Sequence, residues 1–134
     1  MSSSYTVLLY SDNLKVRHAM RTAIGERPAS DVTVEYLEAG RYDEAVRLID
    51  TFEIDLILLD GEAQPAGGMA IARQLRDELD DPPMSCLVLR RAADNWLAAW
   101  SRADASLTYP LDPIRTAGKV LELLRRRSQT PVVG

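Results

Sequence analysis

Four consecutive aliphatic residues inside Ile54–Asp60 (IDLILLD) constrain this chain more than any other segment. Successive strand side chains point to opposite faces, so a strand can be apolar at every position only where both faces are covered. IDLILLD therefore predicts a central strand of a parallel sheet, with helices above and below, ending abruptly in a carboxylate, Asp60. Ser85–Leu89 (SCLVL) has the same doubly apolar character and runs into Arg90 and Arg91. Thr6–Tyr10 (TVLLY) is a third strand, closed by Ser11, Asp12 and Asn13. In a fourth, Val32, Val34 and Tyr36 alternate with Thr33 and Glu35. Ser106–Tyr109, stopped by Pro110, reads as a fifth.

Helical periodicity fills the intervals. Val16, Met20, Ala23 and Ile24 recur at helical spacing, and Gly25 with Pro28 ends the run. Ala45, Leu48 and Ile49 mark a second helix within Tyr42–Phe52, and Ala72, Leu75 and Leu79 a third. Asp80-Asp81-Pro82-Pro83 breaks the pattern, and Asn95–Arg102 reads as a fourth helix. Asp112-Pro113 combines an N-cap with proline at the first helical position, opening a last helix with Ala117, Val120, Leu121 and Leu124 on one side. Ser128–Gly134 reads as a flexible, frayed tail. Strands alternating with helices imply right-handed crossovers and a single α/β domain with helices on both faces of the sheet.

Composition excludes several roles. A chain of 134 residues that is 46% apolar suits one domain with a real core. Twenty acidic against sixteen basic side chains, a net charge of −4, argue against nucleic acid as a partner. The single cysteine excludes an internal disulfide and indicates a reducing, cytoplasmic compartment. The start, MSSSYTVLLYSD, lacks the basic region of a signal peptide, and no apolar run approaches the roughly twenty residues that span a bilayer.

Ligands of open parallel sheets bind beyond the carboxyl ends of the strands, where strand order reverses. There the pattern places two carboxylates, Asp12 and Asp60, with Ser11, Arg90 and Tyr109. VLLYSDNLKVR, IDLILLD, Gly68 eight residues after Asp60, and ADASLTYPLDP follow in an order and spacing that resemble the receiver domain of bacterial two-component response regulators. The resemblance covers about Thr6 to Arg127 and implies the flavodoxin-like (CheY-like) (βα)5 fold, with a five-stranded parallel sheet. It implies that Asp60 is the phosphoacceptor, and that Asp12, Asp60 and the backbone carbonyl of Glu62 would hold Mg²⁺.

Other positions depart from that family. Ser11 stands where it carries the first of two paired acids, Arg90 where it carries Thr or Ser, and Tyr109 where it carries lysine. Pro65 comes one residue later than the family's proline, and Leu107, two residues before Tyr109, stands where the family carries an aromatic. The carboxylate count falls from three to two, so the expectation is an atypical receiver with weakened Mg²⁺ binding and impaired phosphorylation. Such a protein is a binding module and not an enzyme, acting on a histidine kinase, a downstream target or a second copy of itself. A stand-alone domain is expected, because the chain ends shortly after the last helix. A phosphorylatable single-domain regulator is the alternative. A flavodoxin-like enzyme or FMN binder is a further one, disfavoured by the missing Ser/Thr-rich loop after the first strand.

Particular residues carry competing readings. Arg90 either turns inward to pair with Asp60 or Asp12, or projects into solvent. Tyr109 either suits the cis peptide bond typical of the family before this proline or forms a lid over the pocket. Trp96 and Trp100 lie one helical turn apart; Ala98, Ala99 and Ala103 suit the buried side better, making the tryptophans interface anchors on the face of the fourth helix, fifth strand and last helix. His18 is read as a surface residue, Cys86 as a small buried hydrophobe, and PAGGMA as turn chemistry without a P-loop lysine. Arg125, Arg126 and Arg127 suit the negative end of the last helix dipole.

Overall fold

A computed structural model describes residues 3–61, 68–78, 82–91 and 102–129. Its strands are β1 (Ser3–Tyr10), β2 (Val32–Ala39), β3 (Leu56–Asp60), β4 (Met84–Leu89) and β5 (Ala105–Thr108). The described helices are α1 (Leu14–Ile24), α2 (Tyr42–Thr51), α3 (Gly68–Glu78) and α4 (Pro113–Gln129). The strands form one sheet in the order β2-β1-β3-β4-β5, every neighbouring pair parallel. Strand order reverses between β1 and β3, so the loops after these strands diverge and leave a crevice at their carboxyl ends.

Burial of β3 follows its composition: all five of its residues are buried. Leu56 and Leu58 join Val7, Leu9, Cys86 and Val88 in a core covered by α1 and α4. Ile57 and Leu59 join Leu8, Tyr10, Leu87 and Leu89 in a second core, with Ala45 of α2 and Ala72 and Leu75 of α3. The period-two alternation of three central strands thus supplies two hydrophobic layers at once. Val16, Met20, Ala23 and Ile24 are the buried face of α1. Asn13 caps that helix by accepting the Lys15 N–H at 2.9 Å. Asp112 caps α4, its carboxylate accepting the Arg115 N–H at 3.0 Å.

Several boundaries differ from expectation. β1 begins at Ser3, three residues early, because Ser3–Thr6 pair with Val32–Glu35 of β2. The buried stripe of α4 is Thr116, Val120, Leu123 and Leu124, whereas Ala117 and Leu121 are only half-buried. The stripe is rotated by one position because Leu123 lies three residues beyond Val120 and faces the sheet with it. Helix α4 runs to Gln129, so Ser128 and Gln129 are helical and not part of a frayed tail. Arg102, expected to end a helix, has a φ of 63° and lies outside helical geometry. Glu62, Pro65, Leu79, Trp96, Trp100 and residues 130–134 lie outside the described residues. Among the described residues, no helix is long and apolar enough to cross a membrane.

Two measurements test this packing. Leu123→Ala should lower unfolding free energy by about 2–5 kcal/mol, and Leu121→Ala by clearly less, in urea titrations with unchanged m-values. Burial pushes the Cys86 thiol up to about 12, against roughly 8.5 in an unfolded chain. The folded state therefore keeps a proton that the unfolded chain releases. The thiol's contribution to stability is full below about pH 8.5 and declines as pH rises toward 12, by at most about 1.4 kcal/mol per pH unit. Cys86→Ala should flatten that alkaline decline, and a thiol reagent at pH 8 should label the native protein only upon unfolding.

Candidate functional site

At the carboxyl end of the sheet, Asp60 terminates β3 with 2% of its surface exposed. An ionised carboxylate withdrawn this far from water needs hydrogen-bond donors or a counter-charge. Ser11, directly after β1 and fully buried, donates its hydroxyl to Asp60 Oδ2 at 2.8 Å. That hydroxyl accepts the Asn13 N–H at 3.0 Å, which orients it toward the carboxylate. Arg90, the first residue beyond β4, brings Nη2 to 3.6 Å from the same Asp60 oxygen. Of the two orientations open for Arg90, the inward one is adopted. The side chain is 30% exposed, leaning over the mouth of the crevice rather than lying beneath it.

Tyr109 fixes the guanidinium from the other side. Leu89 is in register with Thr108, and the Tyr109 N–H donates to the Leu89 carbonyl at 2.7 Å, so Arg90 and Tyr109 emerge side by side. The Arg90 Cζ stands 4.7 Å from the Tyr109 ring centroid, within the range of a cation–π contact. The Tyr109–Pro110 peptide bond is cis. Gly61 is confined by close approach: its N–H donates to the Val88 carbonyl at 2.9 Å, and an added Cβ would lie 3.2 Å from that oxygen.

The two aspartates differ in surroundings. Asp12 is exposed, one residue past the buried Ser11, and enters neither the Ser11–Asp60 hydrogen bond nor the Arg90 ion pair. Its charge reaches Tyr10, whose phenol holds its proton above the ordinary range, first through burial and then through Asp12, Asp43 and Glu44. Among the described residues, no group of three acidic, histidine or cysteine side chains is placed to hold a metal ion. A unit positive charge about 4 Å from a guanidinium is opposed by roughly 4 kcal/mol at an effective dielectric near 20, and a divalent ion by twice that. The described donor set does not fit Mg²⁺: the Ser11 hydroxyl donates to Asp60, and the Arg90 guanidinium faces the same carboxylate.

Some site residues escaped the sequence reading. Arg17 of α1 donates from Nη1 to the Ser11 carbonyl and from Nε to Glu38 of β2 at 3.0 Å. Gly40 sits against this contact, where a Cβ would be 3.1 Å from Arg17 Nη1. The Asn13 cap was available as the last polar residue before a helical run. The Arg17–Glu38 pair was not, since it depends on β2 lying beside β1. Cys86 is buried and His18 exposed, as read from the sequence; the His18 ring stands 3.4 Å from the Thr22 hydroxyl. Arg91 is exposed. Arg125 pairs with Asp31 at 3.5 Å and Arg127 donates to the Pro82 carbonyl at 3.0 Å, so these two arginines serve separate contacts.

No family model matches the chain. A response regulatory protein of Mycobacterium tuberculosis is 43% identical over 125 residues, covering 92% of this chain and 94% of its own length. The phosphate regulon transcriptional regulatory protein PhoB of Pseudomonas aeruginosa is 31% identical over 124 residues, 90% of this chain and 52% of that protein. Among solved structures, a receiver domain protein (CheY-like) from Methanospirillum hungatei covers 96% of this chain and all of its own, at a TM-score of 0.75 and 18% identity. A response regulator from Chloroflexus aurantiacus gives 0.77 over 92% of this chain and 100% of its own, also at 18% identity. The chain belongs to the response regulators, and its fold is that of their CheY-like receiver domain.

The Ser11–Asp60 hydrogen bond is open to a direct test. Ser11→Ala should destabilise the protein by about 1.5–3 kcal/mol at neutral pH, the range for a hydrogen bond to a charged group. In an Asp60→Ala background the same change should matter much less. The double-mutant cycle in urea should return a coupling of about 1 kcal/mol or more.

Proposed function

We propose that this receiver works in the cytoplasm through protein–protein contact, with a histidine kinase, a downstream target or a second copy of itself. Mg²⁺-dependent phosphorylation of Asp60 is not its trigger. One observation carries this reading: Asp60 Oδ2 already accepts the Ser11 hydroxyl at 2.8 Å and faces Arg90 at 3.6 Å. Phosphoryl transfer to a carboxylate requires an approaching group of high negative charge to be screened by an appropriately placed cation. Here the cation is a side chain braced on Tyr109, and a hydroxyl stands in place of one acid. Trp96 and Trp100, spaced one helical turn apart in the sequence, are the anchors proposed for the partner contact.

The second reading, a regulator that does take phosphate on Asp60, is favoured by the acceptor carboxylate itself, retained at the end of β3. Intact-mass measurement separates the two. After incubation with Mg²⁺ and acetyl phosphate, the wild-type protein should show no gain of a phosphoryl group and match Asp60→Asn. An adduct formed by wild type and absent from Asp60→Asn would establish the second reading instead.

A further inference from the structure

We infer that Arg90 is the resident cation of the Asp60 pocket and that its guanidinium, together with the Ser11 hydroxyl, excludes divalent metal ions from it. The inference deepens the proposed function and rests on it for its biological meaning. Two side-chain contacts and one backbone bond place the guanidinium. Nη2 lies 3.6 Å from Asp60 Oδ2, Cζ lies 4.7 Å from the Tyr109 ring centroid, and the adjoining backbone is joined to β5 by the Tyr109 N–H to Leu89 carbonyl bond. The group is thus held over the carboxylate by an anion on one side and an aromatic face on the other.

Ser11 acts in the same direction. A carboxylate at that position would add negative charge beside Asp60 and call for a cation of higher charge. A hydroxyl instead donates a proton to Asp60 at 2.8 Å, stabilising the carboxylate while adding no charge. Two of the charges facing each other are then Asp60 and Arg90, which balance. Asp12 remains, but exposed and outside this hydrogen-bonded group. A hard dication that gives up its hydration reluctantly gains little from a neutralised carboxylate and one exposed acid.

The inference predicts that metal affinity is restored by removing the resident cation and returning the acid. Thermal denaturation and calorimetric titration with MgCl₂ and MnCl₂, against NaCl at matched ionic strength, read this directly. Wild type should show no metal-specific shift at about 10 mM, whereas a site with a dissociation constant near 1 mM would raise Tm by about 3–5 °C. Ser11→Asp combined with Arg90→Thr should gain such a shift, and adding Asp60→Asn should remove it. Arg90→Ala alone, which leaves Ser11 in place, should gain a smaller Mn²⁺ response and serves if the double variant does not fold. A wild-type shift abolished by Asp60→Asn would overturn the inference, and so would folded Arg90 variants no more responsive than wild type. The proposed function fails separately. A phosphoryl adduct on wild-type Asp60 formed with Mg²⁺ and acetyl phosphate, in a protein that shows no metal-specific shift of its own, would remove that reading and leave the resident cation standing. Metal binding by wild type without an adduct would do the reverse.

Discussion

Placing an anion at the end of a strand that is covered on both faces sets the terms for the rest of this molecule. β3 is buried from Leu56 to Asp60, so the carboxylate cannot turn outward without withdrawing neighbouring aliphatic side chains from their layers. It must be satisfied where it stands. Two of its partners come from the flanking strands, Ser11 from the end of β1 and Arg90 from the end of β4. The parallel register brings these strand ends to one level. Sheet geometry and pocket chemistry are therefore one constraint: any slip of β1 or β4 against β3 would move a donor away from a buried charge.

A large part of the fold was legible in the chain because the strongest signals are those of burial. The doubly apolar runs at Leu56–Leu59 and Cys86–Leu89 read as strands buried on both faces, and the alternating Val32, Val34 and Tyr36 read as a half-buried strand, which the sheet places at its edge. Boundaries were less legible. Ser3–Thr6 include little apolar material, yet they are strand because β2 offers them backbone partners. The stripe of α4 was displaced for a related reason, since its leucines are so closely spaced that only contact with the sheet selects Leu123 over Leu121. Asp60 was placed by the abrupt end of an aliphatic run. The direction of Arg90 was not, because an arginine after a strand reads the same whether it meets solvent or an acid at the end of the neighbouring strand.

Fold and site are separable in this chain. The backbone is that of a receiver domain across more than nine-tenths of its length in proteins of low sequence identity, and such likeness carries architecture alone. At its strand ends this chain carries a hydroxyl at 11, a guanidinium at 90 and a phenol at 109. These three side chains are mutually consistent. The hydroxyl needs an acceptor, the carboxylate supplies it, the guanidinium needs a counter-charge, and the aromatic ring supports its exposed face.

The Arg17 contact gives the edge strand a say in the pocket. Arg17 grips the Ser11 carbonyl while its Nε is held by Glu38, and Glu38 also receives Arg21, whose guanidinium stacks 5.1 Å from the Tyr36 ring centroid. Tyr36 in turn donates its hydroxyl to the carbonyl of Gly25 at the far end of α1. The turn that aims the Ser11 hydroxyl is thereby guyed to the outermost strand and to the opposite pole of the first helix. A molecule pressing on β2 or on the tail of α1 would pull on the same rigging that positions the crevice, although it touches nothing inside it.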